Sequence, residues 1–359
     1  MVKFSLEDVL LIFIPISAFL YLGAFPPLYI FASSVLALIA LSAKLGEATE
    51  EIAKHVGENV GAMLNATFGN ATELIIALIA IKEGLFEVVK ASITGSIIGN
   101  MLFVLGASLL LGGIKYKQMK FNSHAAGMNA SMLLIAVFAL MIPSIFFNVG
   151  GMIGANGITT PIHKENLEAL SIGISVLVIL VYLLSLVFSF KTHSYLFRTK
   201  EEAGVEKKWS KEVSVAVLVI ATVLIAGMAE IFISSIEPII HEFNLPEIFV
   251  GAIIIAIVGN AAEHMTAVTF ALKNKIDMSI SITVGSSIQI AMFIAPLLVL
   301  VSAWIGKPMD LAFNIFEVLA VFGSVLVVNE LTSDGETNWF EGAQLLVVYL
   351  ILAVMFFLL

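Results

Sequence analysis

The chain has 359 residues, of which 60% are AVILMFWYC and only 13% charged, against about 25% charged in an ordinary soluble domain. That balance excludes a soluble globular class and reads as an integral membrane protein. The absence of cysteine excludes a disulfide framework and a thiolate metal site, and a net charge of −9 without a basic patch gives no reason to expect a nucleic-acid partner.

Apolar runs of bilayer-spanning length, roughly 17–25 residues, recur from end to end, and backbone in lipid must be satisfied within helices or a closed barrel. The runs do not alternate in polarity, so the fold class is all-α. Eleven transmembrane helices are predicted, at 6–24, 27–45, 58–82, 86–111, 125–147, 166–190, 211–236, 247–272, 277–304, 311–329 and 339–359. The first is not read as a cleavable signal, because Phe25-Pro26-Pro27 and a second span follow it without an Ala-x-Ala pattern. Residues 47–57, with Glu47, Glu50, Glu51, Lys54 and His55, are too polar to cross and are expected as an interfacial helix.

The longest loop, 191–210, carries Lys191, His193, Arg198, Glu201, Glu202, Lys207 and Lys208 and is expected to be a cytoplasmic linker between two halves. The chain thus divides into a first helix (1–25), an N-terminal five-helix repeat (26–190), the linker and a C-terminal five-helix repeat (211–359). Five crossings per repeat force the two copies into opposite orientations. Fourteen Lys and Arg fall on the side of the N-terminus, and Lys82, Lys90, Lys164 and Lys307 on the other. The positive-inside rule then places the N-terminus in the cytoplasm of a cell-membrane protein and the C-terminus outside.

Two stretches organise the chain. Gly69-Asn70-Ala71-Thr72-Glu73 returns as Gly259-Asn260-Ala261-Ala262-Glu263, and Gly95-Ser96 returns as Gly285-Ser286, both at one and the same separation along the chain. A charged side chain inside a span costs roughly 2.5–3.5 kcal/mol on insertion scales, so Glu73 and Glu263 are functional candidates by default. Asn and Glu three residues apart share a helix face, and the preceding glycine permits close approach. Calcium takes six to eight oxygen ligands from carboxylates, amides, carbonyls and water. Glu73 and Glu263 supply charge; Asn70, Asn260, Asn100 and Gln289 supply amide oxygens; Ser96 and Ser286 supply hydroxyls; and Gly69 and Gly259 expose helix carbonyls. No resident cofactor is expected. Two carboxylates brought together in lipid hold protons that a divalent cation displaces, so Ca2+ and H+ compete for the same oxygens and are the expected transported ions, with the lipid bilayer as surroundings. His264, Glu230 and Glu50 are candidate proton relays.

The segments Asn65–Ile75 and Val258–His264 resemble the two signature repeats of the calcium/proton antiporter family within the cation/calcium exchanger group. Gly95-Ser96 through Asn100, Gly285 through Gln289, Lys191-Thr192-His193 and Asp334 through Gly342 are similar to further motifs of that family, in the same order. The resemblance covers essentially the whole chain. It implies eleven helices with the first outside the inverted repeat, a cation site built on the two signature glutamates, and proton-driven export of calcium across a prokaryotic membrane. A sodium/calcium exchanger is the nearest alternative and would be expected to show Thr/Ser-Pro-Glu character in the signatures. A cation channel would form its filter from a ring of subunits, which fits an internally duplicated chain poorly.

Overall fold

Proline, asparagine and glycine set where the helices begin and break. In the computed structural model, which describes residues 6–56, 61, 64–65, 67–150, 164–193 and 207–359, two short helices, α1 (Leu6–Leu10) and α2 (Phe13–Leu22), precede the turn at Phe25-Pro26. Pro27 opens α3 (Pro27–Val56), where its missing N–H costs nothing. There follow α4 (Ala71–Glu83), ended by Gly84 at φ 86°, and α5 (Phe86–Tyr116). Next come α6 (Ser123–Gly150), α7 (Lys164–Thr192) and α8 (Lys211–Phe243), the last capped by the Ser210 hydroxyl on the Val213 N–H. The C-terminal part holds α9 (Glu247–Gly259), α10 (Ala261–Leu272), α11 (Ile276–Trp304), α12 (Ile315–Leu331) and α13 (Trp339–Leu358).

Among the described residues seven helices are long and apolar enough to cross a membrane, and α9 with α10, bent by 63° at Asn260, makes an eighth if the pair is one span. The protein is therefore an all-helical multi-pass membrane protein. Three of the predicted spans are shorter as helices: α2 has 10 residues, α4 13 and α12 17. The third span was expected from residue 58, and residues 57–60, 62–63 and 66 lie outside the described ones, as does 194–206 of the linker.

The expected interfacial helix at 47–57 is not a separate element. Its described residues form the last turns of α3, because Ala48, Thr49 and Ile52 continue the buried face of that helix while Glu50 and Lys54 stay on its outer side. Span ten begins at Ile315 and not at 311, because Asn314 and Glu317 form a capping box there. A second capping box, Asn338 with Glu341, starts α13. It follows β2 (Glu336–Asn338), which pairs antiparallel with β1 (Gln118–Lys120) and ties the loop after α5 to the chain before α13.

In the core α3 lies along α8, α5 packs on α13 and crosses the first half of α9, and α11 packs on α10 and α7. Helices α5 and α11 run through the middle and each widens into a π-helical stretch, Gly99–Val104 and Ile290–Ile294. These wide turns follow directly after Ser96 and Ser286, in the register of the sequence repeat.

Candidate cation site

Each signature sits at a helix break. Asn70 (φ −101°, ψ 23°) and Asn260 (φ −93°, ψ 8°) leave helical geometry in the sparsely populated bridge region, and α4 and α10 start immediately after them. The glutamates therefore lie in the first turn of their helices, where the N-terminal end of the helix dipole favours a negative charge.

The asparagines hold the breaks in place by reaching across the molecule. Asn70 donates from Nδ2 to Gln289 Oε1 at 2.7 Å and accepts at Oδ1 from the Ser286 hydroxyl at 3.0 Å. Asn260 donates to the Ser96 hydroxyl at 2.9 Å and accepts at Oδ1 from Asn100 Nδ2 at 3.3 Å, and Asn100 also donates to Ser286 at 3.1 Å. All but Gln289 are fully buried. Every one of these bonds joins one half of the chain to the other.

The glycines make room for the opposite carboxylate. A Cβ on Gly259 would stand 3.0 Å from Cγ of Glu73, and a Cβ on Gly69 would stand 3.3 Å from Oε1 of Glu263. Both Glu73 oxygens and Oε2 of Glu263 are sealed from solvent without a hydrogen-bond partner. Buried polar atoms are otherwise almost always satisfied, and an unsatisfied one costs about 1–3 kcal/mol, more if charged. Three such atoms on two carboxyls, each carboxyl against the other copy's glycine, are left without a protein partner.

The ten residues read from sequence as ligands are thus brought together, but in three roles. Three of the four carboxyl oxygens are uncommitted. The Asn, Gln and Ser side chains are bonded to one another and frame the pocket, while Gly69 and Gly259 supply space. Of the three proton-relay candidates, His264 follows Glu263 in the first turns of α10, with Nε2 buried and unpartnered and its ring edge-on to Phe103 at 6.2 Å. Glu230 and Glu50 are elsewhere. The Glu230 side chain is 64% exposed and 4.0 Å from Lys82, and that of Glu50 is 72% exposed and 3.2 Å from Lys54.

Sequence reading gave no site role to Glu51, although it is the buried member of the acidic run. Its carboxylate accepts from the Lys208 and Trp209 N–H groups at 2.9 and 3.3 Å and pairs with Lys54 at 2.7 Å, fixing the start of the second half to the end of α3. Its helical spacing from Ala48 and Ile52, both on the buried face, was the signal available. Lys90 and Glu317 were also passed over. Each falls inside a predicted span, where a charged side chain is itself the clue.

Two helices that start over a sealed pair of carboxyls, inside a multi-pass bundle, define an integral membrane protein with ionisable groups at its centre. The model of the family described as sodium/calcium exchanger protein matches residues 27–194 and 213–358, and the chain belongs to that family. It is 45% identical to a Ca(2+)/H(+) antiporter of Aphanothece halophytica, over 97% of this chain and 95% of that one. It is 42% identical to the Ca(2+)/H(+) antiporter ChaA of Bacillus subtilis, over 96% and 97%. Among solved structures, that of native YfkE superposes with a TM-score of 0.85 at 39% identity, covering 99% of this chain and 100% of the other. The H+/Ca2+ exchanger CAX shares the fold at a TM-score of 0.74, with 14% identity, over 98% of this chain and 91% of that one.

Proposed function

We propose that this chain is a secondary active antiporter that exchanges Ca2+ for H+ at Glu73 and Glu263. The observation that carries the reading is the pair of sealed, unpartnered carboxyls, each seated against the other half's glycine. The antiporter names of relatives more than 40% identical support it.

Empty of cation, the site sheds its negative charge by taking up protons, because two carboxylates side by side and out of water repel each other. Calcium brings two positive charges to the same oxygens and displaces those protons. Asn70, Asn260, Ser96, Ser286, Asn100 and Gln289 keep both helix breaks facing the pocket while this exchange takes place. Coupling follows when only the protonated or the calcium-loaded site changes sides, since an empty, doubly charged pair is costly to seal.

The reading includes eleven crossings, a first helix followed by two inverted five-helix repeats, an N-terminus in the cytoplasm of a cell-membrane protein, and net export of cytosolic calcium. The crossed bonding of the two signatures supports the inverted arrangement. Single cysteines placed in this cysteine-free chain at Glu87 and Lys275 should label from opposite faces of intact cells; labelling from one face rejects the crossing order.

The direct test is calcium uptake into proteoliposomes. An imposed pH gradient should drive uptake without sodium, and Glu73→Gln and Glu263→Gln should each abolish it in folded protein. A sodium requirement would assign the chain to sodium/calcium exchange instead, and robust uptake by both variants would remove the glutamates from the mechanism.

A further inference from the structure

The duplication supplies an internal control for a second polar cluster. On α5, Glu87, Lys90 and Thr94 follow one another at helical spacing, and at the matched positions of the second copy α11 carries Asp277, Ile280 and Val284. Ile280 and Val284 face Ala126 and Ala130 of α6, Val325, Val328 and Asn329 of α12, and Thr332 just after it, with no charged group among them. Around Lys90 and Thr94 there is instead a buried ionic cluster. Lys90, 6% exposed, donates to Asp310 Oδ1 at 2.8 Å, to the Ala312 carbonyl at 2.9 Å and to Glu87 Oε1 at 3.4 Å. Glu317, 2% exposed, accepts the Asn314 N–H on Oε2 at 2.8 Å as half of its capping box. Its Oε1 is buried without a partner, and so is Oγ1 of the neighbouring Thr94. Ile280 and Val284 stand in the other half where Lys90 and Thr94 stand here, and buried ion pairs are often no more stabilising than apolar residues of similar volume. Packing alone does not account for the cluster.

Counting hydrogens shows what it can do. The three N–H groups of Lys90 already have three acceptors, so none is left for Glu317. A proton on Glu317 Oε1 donates to Thr94 Oγ1 and satisfies both orphaned atoms. When that proton leaves, the Thr94 hydroxyl turns and donates to the carboxylate, since a hydroxyl serves as donor or acceptor. The helix N-terminus favours the charged form and burial the neutral one. Once ionised, Glu317 competes with Asp310 for Lys90, the residue that ties α5 to the 305–314 loop. Helix α5 is also the one that carries Ser96 and Asn100. Among the described residues, the charged groups acting on Glu317 are Glu87 and Lys90 from α5, and Asp310 of the loop meets Lys90.

We propose that Glu317 with Thr94 is a proton-binding site separate from the Glu73 and Glu263 pair, and that through Lys90 it sets the turnover of the exchanger according to pH at the Phe86 end of the bundle. This rests on the exchange reading above. The decisive variant is Glu317→Gln, because glutamine preserves the capping box and removes the proton site. Calcium uptake is measured in proteoliposomes with pH varied on one face at a time, the face being identified by a cysteine at position 87. The variant should lose the pH response from the Phe86 face and run at the rate that the wild type shows there at low pH, with half-saturating calcium unchanged. Thr94→Val should shift the midpoint of that response and not remove it. An unchanged pH profile in Glu317→Gln, or a change of calcium half-saturation in step with rate, overturns the proposal. Infrared titration of the purified protein reads the proton directly: the wild type should show one titrating protonated-carboxyl band that the variant lacks, and identical spectra overturn the site. If the wild type shows no gradient-driven uptake, the exchange reading fails, while the infrared result still decides whether Glu317 binds a proton.

Discussion

The first halves of α5 and α11 share a sequence register, yet among the described residues only one carries a buried ionic cluster. A Cβ on Gly95 would stand 2.0 Å from the Ala252 carbonyl oxygen, and one on Gly251 would stand 2.5 Å from the Ala91 Cβ and 2.6 Å from the Val88 oxygen. The Phe86 end of α5 is thus sealed onto α9, whereas position 62, which matches Ala252 in the other half, lies outside the described residues. A duplicated sequence has given one half a buried ionic cluster and the other Ile280 and Val284 at the matched places. Identical motifs therefore do not make identical environments, and each half must be tested by itself.

The sharpest way to break this comparison is at the two glycines. Gly95→Val should abolish uptake and lower the melting temperature strongly, because backbone cannot yield a contact of that kind and overpacking costs typically about 1–3 kcal/mol or more. Gly251→Val, on the other side of the same crossing, should do the same, as followed by thermal unfolding in detergent. Normal folding of both variants would remove the sealed crossing.

Next in size is the ionic cluster. Lys90→Met leaves Asp310 without its ammonium partner and should destabilise by about 3–5 kcal/mol, the usual cost of breaking a buried pair, whereas Lys90→Met with Asp310→Asn should recover most of the loss. Double-mutant analysis of melting checks this. Ile280→Val, at the matched position, should cost only about 0.5–1.5 kcal/mol, as a deleted core methylene does.

A smaller effect is expected at the crossed amides. Asn70→Ala removes the bonds to Gln289 and Ser286, and Asn260→Ala those to Ser96 and Asn100. Each should raise half-saturating calcium more than it lowers the maximal rate, and Asn100→Ala and Gln289→Ala should do the same more weakly. Proteoliposome uptake over a calcium series separates these, and unchanged affinity in all four would make the network a packing device only.

The least effect belongs to the surface pair Lys120 and Glu336, 2.7 Å apart across β1 and β2. Glu336 holds the lysine ammonium above its ordinary pKa. A raised lysine contributes whatever stability it has below its unfolded pKa and loses it as pH rises through the folded one, so the pair should matter at neutral pH and fade in strongly alkaline buffer. Lys120→Ala should leave uptake unchanged, and melting followed against pH tests the sign.

Much was legible in the residues alone. Long apolar runs without alternation dictate membrane helices, and a carboxylate inside such a run is conspicuous, which is why Glu73 and Glu263 stood out. The shared register of the Gly-Asn and Gly-Ser repeats tied the two motifs together. Less legible were the helix ends: the acidic run at 47–56 looked too polar to belong to a membrane helix, yet its alternate faces let α3 carry on past the expected boundary. The π-helical turns after Ser96 and Ser286 left no mark in composition or period.

By itself the sequence determined the class of protein, the duplicated motifs and the residue types available to an ion, because hydrophobic transfer and the cost of buried charge act locally. Tertiary structure alone decided which polar atoms remain uncommitted. Asn70 meets Ser286 and Gln289, Asn260 meets Ser96 and Asn100, and Lys90 meets Asp310, each from a distant part of the chain. Hydrogen-bond satisfaction is a property of the folded neighbourhood, so only there does it emerge that amides frame the pocket and carboxyls are left free to fill it.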